Sequence, residues 1–168
     1  LWLLVGLLYP EEGQVVAFGQ VRLREADFQS IRGRVGLLFQ DSDDQLFCPT
    51  VLEDVAFGPL NMGRSSEEAV AIAEQTLQML ELSGYEQRLT FHLSGGEKRL
   101  VALATVLAMQ PEVLLLDEPT AGLDEHSTHR LQEILHSLSQ AMIIVSHDHV
   151  FLESLATRSL ELRDGTLA

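Results

Sequence analysis

The sequence predicts an α/β fold with a mainly parallel central sheet. Two short runs, 113–116 (VLLL) and 142–145 (MIIV), are apolar throughout and lack the alternation of a half-exposed strand. Such runs are typical of parallel strands that are covered on both faces. Segments with a helical apolar period alternate with them, as crossover connections between parallel strands require. A third apolar run at 35–39 (VGLLF) predicts another strand of the same sheet.

Length, charge and cysteine content limit the classes of protein to consider. The 168 residues carry 46% hydrophobic side chains and a formal net charge of −14, which fits one globular domain. A general nucleic-acid binder needs a basic face, so we expect no nucleic-acid partner. The single cysteine, Cys48, cannot form an internal disulfide and fits a reducing compartment. No run reaches the ~20 apolar residues that span a bilayer.

The first third of the chain predicts an apolar start, a hairpin and a loop. Residues 1–8 (LWLLVGLL) are interpreted as the end of a buried helix. Two strands at 14–18 and 21–24 surround Gly19-Gln20, which predicts an antiparallel β hairpin. Residues 41–50 are polar and turn-rich, which predicts a loop.

Helical signals dominate the remainder. Residues 65–82 have a helical apolar period and open with a capping box of Ser65 and Glu68. Residues 94–109 are apolar nearly all round, which indicates burial on several sides. A further helix is predicted with Asp124 or Ser127 as its N-cap, and another at 148–156. A final hairpin at 159–167 is predicted to turn at Asp164-Gly165. We therefore expect an α/β core at about 1–49 and 110–168, and an inserted helical subdomain at about 50–109.

Polar side chains follow three of the predicted core strands. Gln40 follows the first, Asp117 and Glu118 follow the second, and Ser146 and His147 follow the third. In open α/β sheets ligands bind beyond the carboxyl ends of the strands, so these residues should share one rim. Carboxylate oxygens are ligands that Mg²⁺ prefers, and Glu118 could orient or deprotonate an attacking water. The alternative is an acidic pair that only caps the next helix.

Residues 93–97 (LSGGE) precede the most apolar helix. Ser94 and Glu97 form a capping box, which accounts for two of the five residues structurally. Gly95 and Gly96 leave backbone N–H groups uncovered at a helix N-terminus, where an anion is stabilised, so a phosphate site is also indicated. The two interpretations are compatible.

Other polar residues have simpler explanations. His126 and His129 are spaced i,i+3, and Asp148 and His149 follow His147, so a transition-metal interpretation is possible. No matching framework of Cys or carboxylate ligands accompanies them in the sequence. Asp124 could be the N-cap of a helix after a plain turn. The only lysine, Lys98, follows Glu97, so no G-x-x-x-x-G-K-[ST] phosphate-binding loop (P-loop) occurs in these 168 residues.

Taken together, LSGGE (93–97), VLLLDEPT (113–120), AGLD (121–124) and VSHD (145–148) resemble the ATP-binding subunit of ABC transporters. The resemblance implies a P-loop NTPase-like fold, with ATP and Mg²⁺ as ligands. It assigns Asp117 and Gln40 to Mg²⁺, and Glu118 and His147 to catalysis. Nucleotide contacts fall on Gln40, Asp124, Ser94, Gly95 and Gly96, the last three from the signature loop (93–97).

The resemblance also implies partners. In this family two ATP-binding subunits pair head to tail, and the signature loop of one faces the nucleotide of the other. Integral membrane subunits complete the transporter, which implies a peripheral position on the cytoplasmic face of the membrane. The segment 35–63, with LSGGEKR at 93–99, is similar to the energy-coupling-factor group, whose ATPases drive uptake of cobalt, nickel or vitamins.

The absent P-loop is the main departure from the family. The family implies that it lies upstream, so we expect this chain to be truncated at its N-terminus and inactive by itself. Two alternatives stay open: a soluble ABC ATPase not linked to transport, and a catalytically inactive ABC-like fragment or regulatory subunit. The codons upstream of Leu1 would discriminate between truncation and inactivity.

Overall fold

The computed structural model describes residues 1–163 and 165–167. Among them it has six α-helices and seven strands. The strands are β1 (Val15–Ala17), β2 (Gln20–Arg22), β3 (Val35–Leu38), β4 (Val113–Asp117), β5 (Ala141–Val145), β6 (Leu162–Arg163) and β7 (Thr166–Leu167). The helices are α1 (Glu25–Arg32), α2 (Val51–Asn61), α3 (Ser66–Met79), α4 (Gly95–Leu107), α5 (Glu125–Ser137) and α6 (His149–Leu155).

A three-stranded parallel sheet in the order β3–β4–β5 forms the centre of the fold. Leu38 is paired with Leu116, and Asp117 with Val145, so the three strands end at one rim. This confirms the predicted α/β class with a parallel sheet. The β1–β2 hairpin is antiparallel, also as predicted. Its turn is formed by Phe18 and Gly19, both with positive φ (51° and 73°), one residue earlier than expected.

Helix α4 links the sheet to the other helices. One hydrophobic core joins Leu38, Leu114 and Leu116 of the sheet to buried side chains of α2, α3 and α4. Residues Val101–Ala104 of α4 are fully buried, which agrees with its nearly uniform apolar sequence. The capping box of α3 is present, since Ser65 accepts from the Glu68 N–H and Glu68 accepts from the Ser65 N–H. The division into a core and a helical subdomain stays a prediction.

Several local predictions are wrong. Residues 2–5 form a short 3₁₀ helix in which only Val5 is buried, rather than the end of a buried helix. The edge strand β5 is half-exposed, because Ile143 and Val145 are 46% and 44% exposed. Helix α1 was not predicted, since its polar sequence carries only two buried side chains, Phe28 and Ile31.

The final hairpin pairs β6 with β7 as expected, while Asp164 of its predicted turn lies outside the described residues. No helix within the described part of the chain is long and apolar enough to cross a membrane.

Candidate functional site

Glu118 and His147 meet at the rim of the central sheet. Nε2 of His147 lies 3.3 Å from Oε1 of Glu118, and the His147 N–H donates to Oε2 of Glu118 at 3.2 Å. The Glu118 side chain is 15% exposed, whereas the His147 side chain is 99% exposed. The carboxylate is therefore held in a sheltered position while the imidazole is open to a ligand.

The backbone of Glu118 is held in an unusual conformation. Its φ is +44°, in the left-handed region that non-glycine residues rarely adopt. The Glu118 N–H donates to the Val145 carbonyl at 2.8 Å, and the Glu118 carbonyl accepts from buried Arg99 at 3.5 Å. Such conformations cost free energy and persist where surrounding contacts enforce them, often at functional sites. These contacts direct the carboxylate toward His147.

A cavity of about 710 Å³ is lined in part by Asp117, the residue before Glu118. Its lining includes Gln40, Asp117 and Gly95, three of the residues predicted for nucleotide and metal binding. Asp41, Asp43 and Asp44 line it as well, with Lys98 and Arg99 as its basic residues. The basic side chains are already engaged, so the cavity presents excess carboxylate. Carboxylate oxygens are preferred ligands of Mg²⁺, whereas they repel a polyphosphate that carries no metal ion.

The signature loop forms the N-terminus of α4. Ser94 is the N-cap, and its Oγ accepts from the Glu97 N–H at 3.3 Å. Glu97 returns a bond, since its Oε2 accepts from the Ser94 N–H at 2.8 Å. The predicted capping box is therefore present. Its backbone bond is the largest cause that lowers the pKa of Glu97, to about 2.

The two glycines of the signature loop have different surroundings. A Cβ on Gly96 would lie 2.5 Å from Oγ of Ser127 on α5, so close packing explains this glycine. A Cβ on Gly95 would meet no heavy atom of the described chain within 4 Å. Tertiary packing among the described residues therefore gives no reason for a glycine at 95, and the space above it can admit an external group.

Asp124 serves as the N-cap of α5. Its Oδ1 accepts from the Ser127 N–H at 2.7 Å, and this bond is the main cause that lowers the Asp124 pKa. The capping alternative for Asp124 is confirmed, and a nucleotide contact stays a prediction.

Within the described residues, no three His, Cys, Asp or Glu side chains are grouped as a metal site would need, and His129 instead lies 3.7 Å from Glu133.

Sequence reasoning missed the side chains of α4 that hold the loop after β3. Arg99 is 3% exposed, and its guanidinium donates to the carbonyls of Phe39 (2.6 Å) and Gln40 (2.5 Å). Lys98 forms an ion pair with Asp43 of the same loop at 2.5 Å. The available signal was an arginine inside a helix that is otherwise apolar at its buried positions. Arg99 thus connects the carbonyls of Gln40 and Glu118.

Gln45 also ties this loop to α4. Its Nε2 donates to the Ala102 carbonyl at 2.8 Å and to Thr105 Oγ1 at 2.9 Å, both on α4. Its Oε1 accepts from the Phe39 N–H at 3.2 Å. Arg99 and Gln45 therefore both tie the backbone at Phe39 and Gln40 to α4, although sequence alone gave no reason to select Gln45.

Known proteins match this chain over most of its length. The sequence profile of the ABC transporter family matches residues 1–121. An uncharacterized ABC transporter ATP-binding protein of Haemophilus influenzae is 49% identical over 159 residues, covering 95% of this chain and 73% of the relative. The cobalt import ATP-binding protein CbiO of Rhodobacter capsulatus is 48% identical over 164 residues, covering 95% of this chain and 59% of the relative.

A solved structure agrees with the fold. A dimeric ATP-binding cassette in a post-hydrolysis state, bound to ADP and Pi, matches with a TM-score of 0.80 and 28% identity. The match covers 91% of this chain and 70% of that structure. These matches agree with the three-stranded parallel sheet and the rim residues described above. The chain belongs to the ABC transporter family, as an ATP-binding domain.

Proposed function

We propose that the protein containing this chain hydrolyses ATP to power membrane import of a small substrate, a cobalt or nickel ion or a vitamin, as the ATPase subunit of an energy-coupling-factor transporter. The observation that carries the ATPase part is the contact between Glu118 and His147 beside Asp117. The relative named as a cobalt import protein supports the transport part.

Glu118 and His147 would carry out the chemistry. The sheltered Glu118 carboxylate orients and deprotonates the attacking water. The exposed His147 imidazole stabilises the charge that develops on the transferred phosphoryl group. Asp117 and Gln40 would hold Mg²⁺, which supplies positive charge to the phosphate oxygens. The oxygen-rich lining of the cavity fits that ion.

A second ATP-binding subunit completes each site in this proposal. Ser94, Gly95 and Gly96 would contact the nucleotide held by the partner, through uncovered N–H groups at the N-terminus of α4. The free space above Gly95 supports this arrangement, and the matched cassette is itself dimeric. Asp124, at the start of α5, would lie at the same interface. Because ATP would touch both subunits, it would stabilise the closed pair.

The membrane subunits and the location follow from the transport part of the proposal. A groove lined by the loop after β3 and the helical segment would receive the membrane partner on the cytoplasmic face. A separate membrane protein selects the substrate in the energy-coupling-factor group that the sequence resembles. The partner would thus determine whether a metal ion or a vitamin is imported.

Reconstitution tests the proposal. The natural protein that contains these residues is purified with its membrane subunits, placed in vesicles, and supplied with ATP and radioactive cobalt, nickel or vitamins. ATP-dependent uptake of one of these supports the whole proposal. ATP hydrolysis that no membrane subunit alters would favour a soluble ABC ATPase, and absence of hydrolysis would favour an inactive regulatory subunit.

A further inference from the structure

Glu97 is bound from two sides at the start of α4. Its Oε2 accepts from the Ser94 N–H at 2.8 Å, which fixes the signature loop. Its Oε1 accepts from the Tyr85 hydroxyl at 2.7 Å and from Nη1 of Arg88 at 2.9 Å. A single carboxylate therefore joins the segment 85–88 to the loop that carries Ser94 and Gly95.

The segment 85–88 is a fixed support rather than a free loop. The Arg88 guanidinium lies 3.7 Å above the centre of the Tyr85 ring, a cation–π geometry. The carbonyl of Arg88 accepts from the Val51 N–H at 3.1 Å, and that of Glu86 accepts from the Leu52 N–H at 3.0 Å. Since Val51 and Leu52 open α2, the charge of Arg88 is anchored to the helical part of the fold.

The charge of Glu97 makes this support relevant to an anion. A carboxylate in the first turn of a helix interacts favourably with the helix dipole but repels a polyphosphate at the same terminus. Glu97, whose pKa is lowered to about 2, is ionised at neutral pH. Arg88 offsets that negative charge locally, and the ion pair draws the carboxylate toward Tyr85.

We propose that Arg88 and Tyr85 are positioning residues for nucleotide binding. Arg88 neutralises Glu97, Tyr85 donates a hydrogen bond to it, and the two contacts hold the signature loop in the shape that accepts the phosphates of the partner subunit's ATP. This inference rests on the proposed ATPase function. Arg88 touches no nucleotide in it and acts only through Glu97. Its effect should therefore fall on the ATP concentration that the enzyme needs, rather than on the chemical step.

Arg88 can be removed with little harm to the fold. Its side chain is 49% exposed, and exposed ion pairs contribute little to stability. Arg88→Ala and Arg88→Gln both remove the charge, while the glutamine retains an N–H donor for Glu97. Glu97→Gln removes the opposite charge and still allows a capping box with Ser94. These substitutions form a matched set that separates charge from shape.

The experiment measures ATP hydrolysis by the natural protein that contains these residues, with kcat and KM determined separately. Arg88→Ala and Arg88→Gln should raise KM for ATP about fivefold and change kcat by less than about twofold. In Arg88→Ala/Glu97→Gln the local charge balance returns, so KM should fall to within about twofold of wild type. Thermal unfolding of each variant checks that the fold is retained.

Two results would overturn the inference alone: a KM unchanged in both Arg88 variants of an active enzyme, or a double variant as impaired as Arg88→Ala. The second result would assign Arg88 a structural role only. If Arg88→Ala fails to fold, Arg88→Gln decides the same question. A wild-type protein without ATPase activity would overturn the proposed function, and this inference with it.

Discussion

The imidazole of His147 reaches the carboxylate of Glu118 across a sequence separation of 29 residues, with Nε2 3.3 Å from Oε1. Strand pairing produces this contact, because Asp117 on β4 is opposite Val145 on β5 and each reactive residue follows shortly after. The bond from the Glu118 N–H to the Val145 carbonyl then fixes the register beyond the last strand pair. Strand pairing thus brings the two residues to the same rim of the sheet.

Glu118→Gln should abolish ATP turnover by the natural protein while leaving ATP-driven dimerisation intact. The amide keeps the size and the hydrogen-bond acceptor of the side chain but cannot take a proton from water. Hydrolysis is followed by phosphate release, and dimerisation by size-exclusion chromatography with and without ATP. Turnover at the wild-type rate would remove Glu118 as the base.

The 168-residue chain by itself should not bind ATP tightly. Its cavity carries the carboxylates of Asp41, Asp43, Asp44 and Asp117, and its lysine is paired with Asp43. A P-loop would supply a backbone cradle and a free lysine to offset the charge of the phosphates, and these 168 residues lack that motif. Isothermal titration calorimetry with Mg²⁺ present checks this. Saturation at micromolar ATP would contradict it.

Alanine at the two signature glycines should affect different properties, stability at position 96 and nucleotide-driven dimerisation at position 95. Gly96→Ala places a methyl group against Ser127, so we expect a loss of about 1–3 kcal/mol and a Tm lower by a few degrees. Gly95→Ala should leave Tm unchanged but raise the ATP concentration needed for dimerisation by about tenfold, because the new methyl group occupies the space for phosphate.

A compensating change controls the glycine experiment. Gly96→Ala combined with Ser127→Gly removes the atoms that the new methyl group would meet, so part of the lost Tm should return. Equal losses of Tm at positions 95 and 96 would contradict the difference in packing between the two glycines, and an unchanged ATP requirement in Gly95→Ala would contradict the role of Gly95 in phosphate contact.

Removal of the Arg99 side chain should both destabilise the fold and displace Gln40. Arg99→Leu leaves the carbonyls of Phe39 and Gln40 without their donors in a buried region, which costs about 2–4 kcal/mol. Chemical denaturation measures this cost. Lys98→Ala, one residue away and at an ion pair that is more exposed, should cost less than about 1 kcal/mol and is the matched control. Equal costs for the two variants would contradict the bridging role of Arg99.

Protonation of Glu97 should loosen the signature loop in acid. Because the pKa of Glu97 in the folded protein, about 2, lies below that of an unfolded glutamate, its ionised form stabilises the fold. That contribution is complete above the unfolded pKa and is lost as pH falls toward 2. The Tm difference between wild type and Glu97→Gln should therefore be constant from pH 7 to 5 and shrink below about pH 4. A difference that is independent of pH would contradict this.

The sequence alone was sufficient to predict the fold class and the residues at the rim of the sheet. The apolar strands at 113–116 and 142–145 and the capping box of Ser94 and Glu97 are local patterns, and their physical causes act over a few residues. Asp117, Glu118 and His147 directly follow such strands. Because parallel strands end at the same edge of a sheet, their positions in the sequence predicted that they share one rim.

Only the tertiary structure showed how these parts are held together. Arg99, Gln45 and Arg88 act on groups that are distant in the chain, including backbone carbonyls that leave no trace in side-chain patterns. Helix α1 was not predicted because few of its residues are buried. The exposure of β5 was not predicted because the sequence of a strand does not say which elements cover its faces. Periodicity therefore determined the type of the strongly patterned segments, such as β4, α3 and α4, while long-range packing decided which side chains meet.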